Sequence, residues 1–204
     1  MALLRSRSRQ SDFLSAAGGA ITTLRSMAFE ATRAGASSLT KLTASELATP
    51  PAHVSLLPQP ALSTVLATEL SGITAITTMS FHGGAPGFGI VGLDEAASLA
   101  LVDLLLGRPA GATRELDNLA ESALAETANI ALNQMVTAAA RASGTSFKTA
   151  LPKFGLDVSH QLAELTRTAP AGTDHAVIVS SAFSTTGHDV AGKMCLVFHV
   201  SGSS

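Results

Sequence analysis

Four polar residues of this 204-residue chain share one line of a helical pattern. At about 100° per residue, Ser122, Glu126, Asn129 and Asn133 fall on one side of the segment 116–141. Leu124, Ala128, Ala131 and Met135 fall on the other. A serine, a carboxylate and two amides therefore line one stripe. A purely solubilising stripe usually carries Lys, Glu and Arg. Asparagine is a mediocre helix former, because its side chain competes for backbone hydrogen bonds. An amide accepts and donates at once, so it can hold a water in a set direction. A solvated helix face would show the same exposure, and the stripe alone leaves both readings open.

Other chemistry-bearing residues form weaker patterns. The run Gly87-Phe88-Gly89-Ile90-Val91-Gly92 fits G-x-G-x-x-G. A dinucleotide site needs those glycines between a strand and a helix. Here they lie inside a hairpin strand, so no nucleotide site is expected. His53, His82, His160, His175, His188 and His199 show no close metal-ligand spacing. The one cysteine, Cys195, sits in an apolar strand pattern and reads as a buried, inert thiol. No nucleophile elbow supports a Ser/His/Asp arrangement. No metal or cofactor of the chain's own is expected.

The spacing of the stripe is more specific. It reads Ser122, three residues, Glu126, two residues, Asn129, twenty-two residues, Pro152. This resembles the signature of the CheC/CheX/FliY family of chemotaxis phosphatases: Asp or Ser, then Glu, Asn and a distant Pro. All four positions agree. The stretch 73–106, a strand hairpin and a helix ending Val102-Asp103-Leu104-Leu105-Leu106-Gly107, also looks like this family. The resemblance extends over roughly residues 26–200.

The resemblance implies hydrolysis of the aspartyl phosphate on a CheY-like response-regulator receiver in chemotaxis or two-component signalling. It makes Asn129 the residue that positions water and Glu126 the partner of the receiver's lysine. Ser122 and Pro152 become framework residues. Mg²⁺ would belong to the receiver. A CheD-like protein or a second copy of the chain are further partners in this reading. The alternative is a non-catalytic CheC-like or FliM-like binding or scaffold module.

Composition sets the surroundings of these residues. Hydrophobic residues make up 46% and charged residues 14%, against a usual ~25% charged. That excludes intrinsic disorder. Alanine supplies 36 residues, small enough for helices to approach closely. The net charge of -2 gives no basic footprint for nucleic acid. No apolar run reaches the ~18 residues of a membrane span. The Arg-containing segment 1–11 lacks the apolar stretch of a signal peptide and is expected to be a flexible tail. The expected location is cytoplasmic.

The elements repeat. Helical patterns at 22–42 and 116–141 each precede a short strand at 53–57 or 147–152. An ambiguous segment follows each, at 61–70 or 156–166. Each half then ends in a hairpin, 73–93 or 175–200. Residues 12–204 are therefore expected to form one domain of two pseudo-repeats, about 22–107 and 113–202. The expected α/β (α+β) fold packs both long helices on one face of a shared, largely antiparallel sheet. A second polar set, Ser26, Glu30, Arg33 and Pro58, takes the matching places in the first half. Arg33 replaces the amide, and arginine has donors but no acceptor. Twenty-four residues separate it from Pro58. This set reads as a degenerate site.

Overall fold

The computed structural model describes the backbone of residues 2–186 and 188–201, with side chains from Thr22 onward. The elements in order are α1 (Ala2–Thr43), β1 (Leu47–Ala48), β2 (His53–Pro58), a 3₁₀ turn (Gln59–Ala61) and α2 (Leu62–Glu69). Then come β3 (Ala75–Gly83), β4 (Gly87–Leu93), α3 (Glu95–Leu105) and α4 (Asn118–Ser143). The chain finishes with β5 (Phe147–Thr149), β6 (Lys153–Gly155), α5 (Val158–Arg167), β7 (Thr173–Thr185) and β8 (Ala191–Ser201). No helix among the described residues is long and apolar enough to cross a membrane.

The eight strands form one antiparallel sheet in the order β1-β7-β8-β4-β3-β5, with β2 also on β7 and β6 also on β3. At its centre β4 pairs with β8, Ile90 opposite Cys195. On either side lie the two hairpins. The outer strands are exchanged between halves. β1 and β2 of the first half pair with β7 of the second, and β5 and β6 of the second pair with β3 of the first. This is the pairing that a pseudo-two-fold axis through the β4–β8 contact generates.

Period-two alternation sends each strand's side chains to both faces. Val177, Val179, Met194 and Leu196 join a core with α1, α3 and α4. Ala176, Ile178, Cys195 and Val197 join a second core with α2 and α5. Both long helices thus lie on one face, as the duplication argument requires. Their small residues Ala28, Ala31, Ala128 and Ala131 are buried. Cys195 is fully buried, and desolvation pushes its thiol up to about 12.

Three sequence expectations change. Where a flexible tail was expected at 1–11, the backbone continues α1 back to Ala2; the segment contains no proline, and Ala, Leu, Arg and Gln are adequate helix formers. The ambiguous segments become the helices α2 and α5, because their apolar residues Leu62, Leu66, Leu162 and Leu165 meet the second sheet face. The strand expected at 147–152 stops at Thr149 as β5, and a further strand, β6, follows at Lys153–Gly155. Pro152 lacks the N–H that a continuous ladder needs.

Local chemistry closes the helices. Asp94 caps α3 by accepting from the Ala97 N–H at 2.7 Å. Asp117 caps α4 through the Ala120 N–H at 2.8 Å. Gly144 ends α4 in the left-handed region, φ 66°. Ala44 takes the matching conformation after α1, φ 51°. Asp103, which interrupts the apolar run of α3, is buried and gathers the following loop. It accepts from the Ala112 N–H at 3.0 Å and the Thr113 N–H at 2.8 Å. The Thr113 hydroxyl and these backbone bonds hold its carboxyl below the ordinary value of 3.8.

Two stability tests follow from these ends and loops. Ala44→Gly relieves a side chain from the left-handed region and stabilises by about 1 kcal/mol, whereas Gly144→Ala costs about the same; urea midpoints measure both. Asp103 contributes stability above the ordinary carboxylate value, and this is lost as pH falls from 3.8 through its lowered folded value. Asp103→Asn is therefore less stable at neutral pH and shows a shallower acid-side decline; parallel decline of both proteins contradicts this role.

Candidate functional site

Helix α4 turns Leu124, Ala128, Ala131, Leu132 and Met135 into the core. That rotation leaves Ser122, Glu126, Asn129 and Asn133 on its solvent side. Ser122 and Glu126 are exposed, while Asn129 and Asn133 are half-buried. The Ser122 hydroxyl donates back to the Asn118 carbonyl at 2.7 Å. It is therefore engaged with its own helix.

The other three form a directed chain of hydrogen bonds. The Thr149 hydroxyl donates to Asn133 Oδ1 at 3.0 Å. Asn133 Nδ2 donates to Asn129 Oδ1 at 2.8 Å and to the Asn129 carbonyl at 2.9 Å. Asn129 Nδ2 donates to Glu126 Oε2 at 3.4 Å. The Asn129 amide is thereby oriented from both ends. It keeps a second N–H and a second lone pair for a water. Asn133 belongs to the stripe visible in the sequence. Thr149 carries no local signal, since it is brought to Asn133 only by the pairing of β5 with β3.

Pro152 lies between β5 and β6, beside α4. Thr149 pairs opposite Phe81 and Lys153 opposite Thr78. Three residues, Ala150, Leu151 and Pro152, therefore face two residues of β3. This is a one-residue bulge. The Ala150 N–H donates to the Ser80 carbonyl at 2.8 Å and pins its start.

The first half carries the same bulge. Ala48 pairs opposite Ser184 and His53 opposite Ser180, so 49–52 face three residues of β7. Strand register thus places Ala52, not Pro58, where Pro152 stands in the second half, since each immediately precedes the first residue paired beyond the bulge, His53 or Lys153. Pro58 is instead the last residue of β2. The displacement has a physical cause: α4 runs about one turn further past Asn129 than α1 runs past Arg33. Sequence spacing alone cannot see which copy has the longer helix. Ser26 and Arg33 are exposed and Glu30 is half-buried. Arg33 Nη2 and Glu30 Oε2 form an ion pair at 2.8 Å. Each of these side chains satisfies the other, and the pair has no amide acceptor.

The remaining sequence candidates fall elsewhere. The three glycines of the G-x-G-x-x-G run lie within β4. A Cβ on Gly89 would stand 2.7 Å from Leu132 Cδ2, so this glycine makes room for α4. His199 is buried beside Phe88, with Nδ1 3.2 Å from Gln59 Oε1. Burial holds its pKa below the ordinary value. Among the described residues no group of His, Cys, Asp and Glu could hold a metal ion.

No family model matches the chain, and no curated protein matches its sequence. Solved structures match its fold. Thermotoga maritima FliY has a TM-score of 0.63 at 16% identity, covering 87% of this chain and 88% of that one. A chain of the CheX-CheY-BeF3-Mg complex from Borrelia burgdorferi has a TM-score of 0.54 at 16% identity, covering 81% and 92%. A chain of the FliG-FliM complex from H. pylori has a TM-score of 0.58 at 14% identity, covering 88% and 92%. The architecture is that of the CheC/CheX/FliY fold family.

The hydrogen-bond chain makes a measurable demand on Asn129. Removing its anchor in Asn133→Ala frees the amide, and the side-chain NH2 order parameter of Asn129 falls below ~0.6. Thermal stability shifts by ~0.5 kcal/mol at most, as for other solvent-side positions. Side-chain amide relaxation by NMR measures the first effect; an unchanged order parameter contradicts the orienting role.

Proposed function

We propose that this chain is a phosphatase for the aspartyl phosphate of a CheY-like receiver. The observation that carries the reading is the Glu126–Asn129 pair: one turn apart, solvent-facing, and oriented through Asn133 and Thr149. The likeness to a chain from a CheX-CheY complex supports the same class of partner. The four-position match at Ser122, Glu126, Asn129 and Pro152 supports it independently of the fold.

The chemistry asks little of the protein. An acyl phosphate is already activated, so hydrolysis needs a water held in line with phosphorus. Asn129 accepts a hydrogen from that water and donates to its oxygen, pointing the nucleophile at phosphorus. The new bond is water oxygen to phosphorus, and the bond that breaks joins phosphorus to the aspartyl oxygen. The receiver's carboxylate leaves with the bond's electron pair, and the water's proton passes to phosphate or solvent. No side chain of this chain becomes phosphorylated. Glu126, an exposed carboxylate, pairs with the receiver's lysine and keeps it aligned. Mg²⁺ belongs with the receiver, where it offsets the phosphoryl charge.

A second reading is a binding module of the FliM kind. Its specific support is the likeness to a chain of the FliG-FliM complex, together with the first-half set, where Arg33 pairs with Glu30. The two readings separate on one measurement. Decay of a phosphorylated receiver, followed with Mg²⁺ present, is accelerated by the wild type. Asn129→Ala slows that hydrolysis ~10²-fold or more while binding persists, because only water placement is lost. Glu126→Ala weakens docking as well as turnover. Glu30→Ala leaves the rate unchanged. An Asn129→Ala variant as fast as wild type, or a wild type inert toward every cognate receiver, favours the binding module.

A further inference from the structure

Helix α3 turns Ala97, Leu101 and Val102 into the core. Another side of the same helix is also apolar. Ala96, Leu99, Ala100 and Leu104 follow at helical spacing, and none of them is fully covered. A solvated helix side would carry Lys or Glu there. These four residues instead form one wall of a cavity of about 530 Å³. Small-molecule sites measure ~300–1,000 Å³ and combine apolar walls with a few placed polar groups.

Two other segments complete the cavity. The loop after α3 contributes Arg108 and Arg114, and the turn between β7 and β8 contributes His188 and Asp189. No residue of α4 lines it, so the cavity is separate from the Glu126–Asn129 pair.

The loop is held from beneath. Asp103 is 2% exposed and gathers the N–H groups of Ala112 and Thr113. The Arg108 N–H donates to the Asp103 carbonyl at 2.8 Å. The Thr113 hydroxyl donates to the Asp103 carboxylate and accepts from Arg108 Nη1 at 2.9 Å. A buried carboxylate thus orients a hydroxyl, and the hydroxyl orients a guanidinium on the cavity wall. That guanidinium has five donors, so the bond to Thr113 leaves others for a ligand. On the other side, the Thr185 hydroxyl donates to the His188 carbonyl at 2.8 Å. Groups held in place before a ligand arrives lower the entropy cost of binding it.

The free charges indicate what the ligand is. Arg114 and Asp189 are exposed and line the same cavity. Neither takes part in an ion pair among the described residues. Both signs therefore stand ready beside one apolar wall. A plain anion would be repelled by Asp189, and a plain cation by two guanidinium groups. A molecule with both charges meets each with its opposite.

We propose that this cavity binds a small zwitterion of the amino-acid class with an apolar side chain. Arg108 and Arg114 hold its carboxylate, Asp189 holds its ammonium group, and its side chain lies against Leu99 and Leu104. The site binds without changing any covalent bond, and it is independent of the phosphatase reading.

The test uses the full chain, isotope-labelled for amide NMR, and three probes: L-leucine, isocaproate and isoamylamine. They share one branched apolar body and carry both charges, the negative charge alone or the positive charge alone. L-leucine shifts the amides of the α3 side, the following loop and residues 188–189 in a saturable way. The two single-charge probes bind about tenfold more weakly or worse, since each loses a charge-assisted contact. Arg114→Ala and Asp189→Asn each weaken L-leucine about tenfold, while their amide spectra away from the cavity stay as in the wild type. Arg141→Ala, an exposed arginine in the last turn of α4 outside the cavity, leaves the affinity unchanged. Absence of saturable binding, or shifts centred elsewhere, overturns the proposal. So does isocaproate or isoamylamine binding as tightly as L-leucine, or wild-type affinity in Arg114→Ala. Receiver dephosphorylation by the two cavity variants runs at the wild-type rate.

Discussion

Close approach between α4 and its two neighbours, α1 and the sheet, is the constraint on which the rest of the structure depends. It is made possible by missing side chains. A Cβ on Gly35 would stand 2.7 Å from Met135 Cγ and 3.1 Å from Met194 Sδ. A Cβ on Gly89 would meet Leu132 at 2.7 Å and Leu196 at 3.1 Å. Ala28 and Ala31 of α1, and Ala128 and Ala131 of α4, are buried in the same core. With so little between the backbones, α4 can pack in only one rotation, because overpacking is costly. That rotation buries Leu132 and Met135 completely. It also decides which side of the helix faces water.

Once α4 is set, the polar stripe follows from helix geometry, but its order does not. Asn129 is oriented because Asn133 is held by Thr149, and Thr149 is held by the sheet. The strand that carries it, β5, pairs with β3 of the other half. The exchange of outer strands thus makes the first half a structural part of the second half's site. This gives a physical reason for a chain to keep both halves while only one keeps the polar pair. In the first-half stripe Arg33 and Glu30 pair with each other instead. The strands of the first half are still needed, because β3 is the frame on which β5, the bulge and β6 are mounted.

The two cores divide the work of the sheet. On one face the long helices press small residues against Val179, Met194 and Leu196; on the other, the short helices α2 and α5 cover Ile178, Cys195 and Val197. Short amphipathic helices of this kind have little stability alone. They hold because the sheet gives their leucines a surface. Cys195 illustrates the outcome: a thiol in a fully apolar layer, kept protonated by desolvation and so without nucleophilic character.

Much of this is legible in the residues themselves. The strand patterns at β3, β4, β7 and β8, the cap at Asp94 and the stop at Gly144 are local signals, and each is realised where it is written, whereas the helix expected from Leu116 starts after its cap Asp117. The repeated order of elements is enough to require a shared sheet with both long helices on one face. The spacing of Ser122, Glu126, Asn129 and Pro152 is likewise carried by the chain alone. Three things are not. The segments that become α2 and α5 have no local preference strong enough to choose; the second face of the sheet chooses for them. The place of Pro58 in the duplication cannot be read from spacing, since the halves differ by about one helical turn, and only strand register shows Ala52 in the place of Pro152. The orientation of Asn129 and the meeting of Arg114 and Asp189 at one cavity depend on contacts between residues far apart in sequence. Local propensity and periodicity act over a few residues, so they determine which elements form and which faces they bury. Long-range pairing decides how those elements meet, and with it which side chains come together to make a site.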